Sequence, residues 1–387
     1  MSVSDIALSS VAADLPDEGV PDSLIGQTTD VLDTPVVIVD LDRFDANIAR
    51  IVSRCREAGV AWRPHCKTHK SGAIAQRLVA AGAIGVTCAK LSEVAVMADA
   101  GVQDILLANQ IAGPIKIARL MALRQRVDVA VCVDHPDNIA ALGQAAAGAG
   151  VILRVLIEVD CGTRRAGVLP GDAAVALARE IGAYPHLRFV GVMTWEGHTT
   201  QIADPSEKRA AITAALTALT GTAHACRAAG FPVSIVSCGG TGTYDTSAFV
   251  DGVTEIQAGG GIFGDVRYRN TYRVSVDFAL TIVATVTSRP TPRRIIADAG
   301  KKALSTDAGM PLAVGLPDGV TVTASGFSAE HAKLELGQDA TLPRIGERIA
   351  FVPGYGDTTV HLHQALYGVR NGRIETVWPI RPDARLL

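Results

Sequence analysis

The stretch Val60–Lys70 reads VAWRPHCKTHK, and a helical pattern begins near Ser71. A short apolar strand that ends in a polar loop and continues into a helix is the repeating unit of a parallel sheet covered by helices. Lys67 lies where strand gives way to loop. An amine among charged neighbours is suited to covalent chemistry there, because its pKa is easily lowered. A basic surface turn is the alternative interpretation of the same residues.

The same unit recurs from Pro35 to about Gly264. The predicted strands are 36–40, 60–63, 85–88, 104–108, 127–133, 151–159, 187–193, 233–238 and 255–257. The predicted helices are 43–58, 71–81, 92–100, 114–124, 136–147, 171–181 and 206–229. About eight such units are typical of an α/β protein with a (β/α)8 barrel. One of the predicted strands must therefore lie outside the barrel or be wrong.

After Val266 the pattern changes to short strand-like segments separated by turn residues. These segments are 274–286, 294–298, 320–325, 348–352, 364–370 and 373–378. They predict a C-terminal antiparallel β domain. We therefore divide the chain into a leader over 1–30, flexible or docked on the β domain, a barrel over 31–265 and the β domain over 266–387.

The composition excludes several classes of protein. Hydrophobic residues make up 48% of the 387 residues, so the core is ample, and the net charge is −3. Neither nucleic acid nor an anionic membrane is an expected partner, because both are bound by a basic surface. We find no secretory signal and no apolar segment of membrane-spanning length. The seven cysteines form no C-x-x-C pair, which favours reduced core residues and a cytoplasmic protein.

Two glycine-rich loops follow the last two predicted barrel strands. Val233–Cys238 leads into GGTGTY at Gly239–Tyr244, and Ile256-Gln257-Ala258 leads into Gly259–Gly261. Glycines let backbone N–H groups converge on an anion, and phosphate often binds at this position in barrels. A plain tight turn explains one such loop equally well, but both together favour a phosphate site. With a lysine at an early strand end, they fit pyridoxal phosphate held as a Schiff base.

With these motifs the chain resembles the D-threonine aldolase and D-serine dehydratase family of pyridoxal-phosphate enzymes, within the alanine-racemase-like fold. The resemblance covers roughly residues 33 to 380. Besides 63–70 and 239–244, the matching motifs are Thr34-Pro35 before VDLD, Asn109-Gln110, Glu158–Gly162 with Arg165 and Gly167, Asp298–Lys302 and Val352–Gly354.

The resemblance implies that Lys67, and not Lys70, carries the cofactor. It also implies a phosphate cradle formed by Gly239, Gly240, Thr241 and Gly242, and Gln257 is expected beside the cofactor.

The resemblance further implies that Arg165 works near the cofactor ring or the substrate. A salt bridge from Arg165 to Asp160 or Glu158 is the alternative. His65 is expected to orient the ring or to contact the phosphate. Its alternative is a hydrogen bond at a helix start.

Two residues depart from the family pattern. Trp195 stands where these enzymes usually place a tyrosine against the cofactor, and an indole has no hydroxyl that titrates. Enzymes of this group typically bind a divalent ion through a His and, two residues later, an Asp or Cys. Here Asp357 is retained and suits Mg²⁺ or Mn²⁺. Tyr355 replaces the expected His, and a neutral tyrosine is a poor ligand.

Three histidines are candidates to complete a ligand set. His361 and His363 would face the same side of a strand, which suits a pair of ligands. His198 follows a barrel strand and is expected over the active site, where it is suited to act as a base toward a substrate hydroxyl. Ordinary packing or surface placement is the alternative for each.

The leading hypothesis is retro-aldol cleavage of a β-hydroxy-D-amino acid to glycine, or a similar small amino acid, and an aldehyde. Lys67 is expected to hold the cofactor, and His198, or a metal bound partly by Asp357, to remove the hydroxyl proton. Arg165 is expected to hold the cofactor or the carboxylate.

Three other readings stay open. They are β-elimination of water from D-serine or hydroxyaspartate, metal-free racemisation, and a non-catalytic carrier of the cofactor. The resemblance also implies a homodimer acting on a small amino acid.

Overall fold

Hydrogen bonds sort the strands of the computed structural model, which describes residues 22–381, into two sheets. The strands are β1 Val36–Asp40, β2 Ala61–Trp62, β3 Val86–Cys88, β4 Asp104–Leu107, β5 Asp128–Val133, β6 Leu153–Glu158, β7 Leu187–Met193, β8 Ile235–Cys238, β9 Glu255–Ile256, β10 Leu280–Thr291, β11 Arg294–Ala297, β12 Leu312–Val314, β13 Val322–Phe327, β14 Ala332–Leu336, β15 Arg348–Val352, β16 Ala365–Arg370 and β17 Arg373–Pro379. The helices are α1 Leu41–Ala58, α2 Gly72–Ala80, α3 Leu91–Asp99, α4 Pro114–Arg124, α5 Pro136–Ala149, α6 Asp172–Gly182, α7 Pro205–Ala228 and α8 Tyr244–Ser247.

The first sheet is the predicted barrel. Its eight strands run in the order β2-β9-β8-β7-β6-β5-β4-β3, and each paired neighbour is parallel. Between β2 and β3 the ring is joined by a parallel bridge of His65 with Thr87 and by a 2.9 Å hydrogen bond from Ile84 N to Trp62 O. Since all eight strands are parallel, their carboxyl ends meet at one mouth of the barrel. The (β/α)8 prediction is confirmed.

Strand β1 is the extra strand in the predicted count. It pairs with β10, where Val39 lies opposite Leu280, and with β16, where Ile38 lies opposite Tyr367. The predicted barrel region 31–265 therefore contributes one strand to the other sheet. Apolar periodicity shows that a segment is a buried strand, but its partners depend on contacts with residues more than 200 positions away.

The second sheet runs β13-β14-β11-β10-β1-β16-β17, with β15 and β12 branching from β10. Its pairs are antiparallel except that of β1 with β16. The predicted segments after Val266 correspond to strands, but β12 and β14 were not predicted and β10 begins at Leu280. β12 has only three residues and none of them is buried, whereas β14 alternates buried Ala332, Leu334 and Leu336 with polar residues, a strand pattern that the prediction missed.

The described part of the leader contacts this second sheet. Gly26 N donates to Ile374 O at 2.8 Å, and Ile374 N donates to Gln27 O at 2.9 Å. The rest of the leader prediction lies outside the described residues. Within residues 22–381, no helix has both the length and the apolar character that crossing a bilayer requires.

Ion pairs of two buried arginines, Arg63 and Arg154, lie at the amino-terminal end of the barrel. Arg63 contacts Glu255, the first residue of β9, at 3.0 Å and Asp104, the first of β4, at 3.0 Å. Arg154 reaches Asp104 at 2.6 Å and Asp128 at 3.0 Å. Each arginine thus bridges carboxylates at the starts of two strands, and we call this group the basal network.

Candidate active site

A cavity of about 430 Å³ opens at the carboxyl ends of the barrel strands. The predicted site residues that line it are His65, Lys67, Arg165, Trp195, His198, Gly239, Gly240, Thr241, Gly242 and Gln257. Asp357 is buried behind Tyr355, which itself faces the cavity. The structure therefore brings residues from across the barrel sequence into one space.

Lys67 lies in a short helical turn, Cys66–Thr68, at the edge of the cavity. Its amine is 3.3 Å from a carboxylate oxygen of Asp357, and its side chain is about half exposed. Lys70 instead extends to the buried Glu93, 3.1 Å away. Lys67 is therefore the lysine of this loop whose amine is open to a ligand.

The two glycine loops present unengaged backbone amides to the same cavity. The N–H groups of Thr241, Gly242, Gly259 and Gly260 have no acceptor within residues 22–381. Gly261 N donates to Thr241 Oγ1 at 2.8 Å, so the loops are tied together. Convergent free amides are what an anion such as a phosphate requires.

Glu196, which was not predicted, holds the first loop from beneath. It is fully buried and accepts hydrogen bonds from Thr243 Oγ1 and Ser247 Oγ, each at 2.6 Å, and from Gly239 N at 3.3 Å. Gly239 has a φ of 74°, which other residues adopt only with strain. The loop shape is thus fixed by a buried carboxylate and by a glycine at its start.

Trp195 lies against this loop. A Cβ added to Gly240 would be 2.5 Å from the indole ring, so only a glycine allows this approach. On the other side, a Cβ on Gly260 would be 2.3 Å from Tyr268 Oη. The cradle is therefore made of main chain between aromatic walls, and the residues present fit the phosphate and ring of pyridoxal phosphate.

Arg165 forms the salt bridge with Glu158 that was the alternative to a role at the cofactor. Its guanidinium is 3.5 Å from Glu158 Oε1. Asp160 instead accepts from backbone N–H groups of its own loop. Burial raises the pKa of Glu158 above its ordinary value, since hydrogen bonds from Gln110 and Arg165 offset only part of that cost. Arg165 remains 60% exposed toward the cavity and is available to a ligand.

His65 and Gln257 line the cavity while engaged with the protein. His65 Nδ1 accepts from Lys67 N at 3.3 Å, the helix-start hydrogen bond given as its alternative. Burial and the neighbouring Lys67 lower the pKa of His65 well below its ordinary value, so the ring is neutral. Gln257 donates to Ser237 Oγ at 2.8 Å.

His198 follows β7 in a short turn and is exposed to the cavity. Its Nδ1 is 3.4 Å from Thr163 Oγ1. A Cβ on Gly162 would lie 2.8 Å from its Nε2, so a glycine leaves the space that the ring occupies. This placement suits an imidazole that accepts a proton from a bound hydroxyl.

The donors around Asp357 do not fit a divalent ion. Tyr355 Oη donates to Asp357 Oδ2 at 2.8 Å, and the same oxygen faces Lys67. His363 contacts a backbone carbonyl, and His361 lies in a helical turn, so the predicted strand pair of ligands is wrong. Within residues 22–381, one cluster of three side chains has the spacing of metal ligands. It consists of Cys66, Cys88 and Glu93 and does not contain Asp357.

One wall of the cavity was missed from the sequence except for Tyr355. It is formed by Arg267, Tyr268, Tyr272 and Tyr355, which we call the Arg-Tyr wall. The first three come from a turn just beyond the predicted end of the barrel, at Arg267–Thr271 and the residue after it. The dense run of Arg and Tyr at 267–273 was the available signal, but no spacing rule places such a run over a barrel mouth.

Comparison with known proteins agrees with this architecture. The family described as alanine racemase, N-terminal domain, matches residues 39–267, and the serine dehydratase domain family matches 279–369. A D-threonine aldolase from Arthrobacter sp. is 35% identical over 90% of this chain and 92% of its own. A 3-hydroxy-D-aspartate aldolase from Paracoccus denitrificans is 34% identical over 92% and 94%. The crystal structure of D-threonine aldolase from Filomicrobium marinum superposes with a TM-score of 0.88 at 35% identity, covering 94% of this chain and 99% of that one.

Proposed function

The chain belongs to the D-threonine aldolase and D-serine dehydratase family of pyridoxal-phosphate enzymes with the alanine-racemase-like fold, and from this premise we propose its reaction. It is a carbon–carbon lyase that cleaves a β-hydroxy-D-amino acid to an aldehyde and glycine, or a similar small amino acid. The observation that carries the proposal is one cavity shared by the Lys67 amine, the free loop amides and the His198 imidazole.

The residues present would hold pyridoxal phosphate at both of its reactive ends. Lys67 would supply the amine that binds its aldehyde, and the amides of the two glycine loops would bind its phosphate. Trp195 supports the site from the side of the first loop. When bound, the cofactor supplies an electron sink for the charge that develops at the substrate α-carbon.

The protein side chains position the substrate and move its protons. Arg165 is placed to hold a carboxylate through charge-assisted hydrogen bonds. His198 takes the proton of the β-hydroxyl, after which the Cα–Cβ bond breaks and the hydroxyl oxygen becomes the aldehyde carbonyl. Tyr355 also lines the cavity, and its phenol donates to Asp357 at 2.8 Å.

We expect this reaction to proceed without a divalent ion at Asp357. The reason is the donor set, because Tyr355 has taken the position of a histidine and already uses a carboxylate oxygen of Asp357. Mg²⁺ or Mn²⁺ at this position, the expectation from family resemblance, would have to displace that hydrogen bond.

Two further parts of the proposal concern the whole protein. We expect a cytoplasmic enzyme, which its seven unpaired cysteines support, since six of them are buried as reduced thiols. We also expect a homodimer on the basis of the family, and light scattering of the purified protein measures this directly.

The test of the reaction is turnover of D-threonine and D-phenylserine by the purified holoenzyme, with and without EDTA. Aldehyde and glycine in equal amounts, unaffected by EDTA, are the expected result. Aldehyde that EDTA abolishes and Mn²⁺ restores would contradict the assignment at Asp357. Keto acid with ammonia would show β-elimination instead, and loss of optical rotation alone would show racemisation.

A further inference from the structure

The residues of the Arg-Tyr wall contact one another through aromatic and cation–π interactions. The rings of Tyr268 and Tyr272 lie 5.8 Å apart, as do those of Tyr268 and Tyr355. The guanidinium of Arg267 lies 5.2 Å from the ring of Tyr272 and 5.1 Å from that of Tyr355. Stacking on two rings holds the guanidinium in one orientation at the cavity surface.

Hydrogen bonds fix the same guanidinium further. Arg267 Nε donates to Tyr272 Oη at 2.7 Å, and Nη1 donates to Ala308 O at 3.3 Å. Its backbone N–H donates to Gly354 O at 3.0 Å. Nη2 has no acceptor within residues 22–381, so the planar fork keeps donors for a ligand.

Arg267 is also the cavity-lining cation without a carboxylate partner among the described residues. Arg165 pairs with Glu158, and Lys67 with Asp357. The acidic residue nearest in sequence is Asp265. Its two carboxylate oxygens accept hydrogen bonds from Tyr268 N at 2.7 Å and from Gly356 N at 2.8 Å. No Asp or Glu among the described residues lines the cavity, so an anion is the ligand that this guanidinium lacks.

The other anions of the reaction already have places. The cofactor phosphate has the free amides of the glycine loops, and one substrate carboxylate has Arg165. Arg267 instead lies beside Tyr355, whose phenol donates to Asp357, and Asp357 contacts the Lys67 amine. These contacts connect the guanidinium to the lysine where the substrate would react. A third anion at that place is a second carboxylate on the substrate itself.

We infer that Arg267, held by Tyr272, forms a subsite for the side-chain carboxylate of a β-hydroxy-D-amino dicarboxylic acid. The inference rests on the proposed function and specifies its substrate class. With 3-hydroxy-D-aspartate, the Cα–Cβ bond breaks and the β-hydroxyl loses its proton to become the aldehyde of glyoxylate. The α-carbon gains a proton to give glycine, so atoms balance and no oxidant is needed.

The test compares the holoenzyme with Arg267→Met and a matched control, Arg269→Met. Arg269 belongs to the same turn and stacks on Phe278, but it does not line the cavity. In the parent enzyme we expect a higher kcat/KM for 3-hydroxy-D-aspartate than for D-threonine. Arg267→Met should lower the first value by about 10- to 100-fold more than the second, the usual effect of charge-assisted hydrogen bonds. Arg269→Met should keep the parent ratio.

A binding measurement separates this inference from the proposed reaction. D-aspartate and D-alanine lack the hydroxyl, so their dissociation constants follow from the change in cofactor absorbance whether or not the protein is an aldolase. The parent should prefer D-aspartate, and Arg267→Met should lose that preference. Equal affinity in the parent would overturn the inference.

The affinity of the apoprotein for pyridoxal phosphate tests whether Arg267 binds the cofactor phosphate and not a substrate carboxylate. The inference requires that Arg267→Met leave this affinity within a small factor of the parent value. A loss of tenfold or more would place the guanidinium at the cofactor phosphate and overturn the inference.

Discussion

The two ends of the barrel differ in whether their polar and charged side chains have partners. In the basal network, Arg63 and Arg154 reach carboxylates from β4, β5 and β9, and every group has a partner of opposite charge. At the mouth, buried polar atoms lack partners within residues 22–381, namely Thr68 Oγ1, His69 Nε2 and Asp357 Oδ1. The charged groups at one end are paired, whereas the other end keeps buried polar atoms without partners among the described residues.

The pKa values follow the same division. Burial alone would raise the pKa of Asp104 in the basal network, but hydrogen bonds from Arg63 and Arg154 hold it below its ordinary value. At the mouth, burial raises the pKa of Asp265 to about 7 and that of Glu158 above its ordinary value. Such unfavourable burial is typical of sites whose groups are arranged for function and not for stability.

Removing the amine at the mouth should have the largest effect on activity and little effect on stability. We expect Lys67→Ala to lower kcat by about 10⁴-fold, the usual scale for loss of a residue that bonds covalently. The urea midpoint should stay close to that of the parent, because the amine is half exposed. Lys70→Arg is the matched control. Equal loss of activity in that variant would contradict the assignment of Lys67.

Breaking the basal network should do the reverse. Arg63→Met leaves Glu255 buried without a partner, and such losses cost about 3–5 kcal/mol of unfolding free energy. Urea unfolding at pH 7 measures this value, and kcat of the folded fraction should be near that of the parent. The double variant Arg63→Met with Glu255→Gln should recover part of the loss. A destabilisation below about 1 kcal/mol would show that the ion pairs of the basal network contribute little to the stability of the fold.

Replacing Tyr355 by histidine should allow the Asp357 carboxylate to bind a metal ion. We expect Tyr355→His to bind Mn²⁺ at least about tenfold more tightly than the parent, or about 1.4 kcal/mol, because an imidazole joins Asp357. Electron paramagnetic resonance of added Mn²⁺ measures this affinity. Tyr355→Phe is the control that removes the phenol without adding a ligand. Tight Mn²⁺ binding by the parent itself would refute our interpretation of this site.

His69 gives the smallest effect, a dependence of stability on pH. Burial lowers its pKa from 6.5 to about 3, so the folded protein keeps the ring neutral where the unfolded chain is protonated. The unfolded state therefore binds more protons between these values, and stability falls as pH decreases below 6.5. We expect a slope of about 1 kcal/mol per pH unit from this residue. His69→Gln should show a shallower fall between pH 6.5 and 4.5 in urea titrations. Parallel curves would exclude His69 as the cause.

Much of the architecture was readable from local pattern. Alternating apolar runs and Ala-rich helices predicted the barrel, and the basic loop and two glycine loops predicted where a cofactor would lie. The sequence also showed that Tyr355 departs from the ligand pattern of the family. Such features are local, since they depend on side-chain periodicity and backbone freedom within a few residues.

The partners of each residue were not readable. β1 looked like any barrel strand, yet it joins the second sheet. Glu196 was not singled out, yet it holds the first glycine loop. Periodicity describes one segment at a time and does not specify contacts across 100 residues or more.

The sequence by itself determined the family to which the chain belongs, and it predicted a cofactor lysine and two anion-binding glycine loops. Only the tertiary structure decided which cations at the mouth are paired and which one, Arg267, is left for a ligand. The physical reason is that pairing depends on distances of a few ångströms between residues distant in sequence. The sequence shows which residues are charged, but only the fold shows which charges are paired.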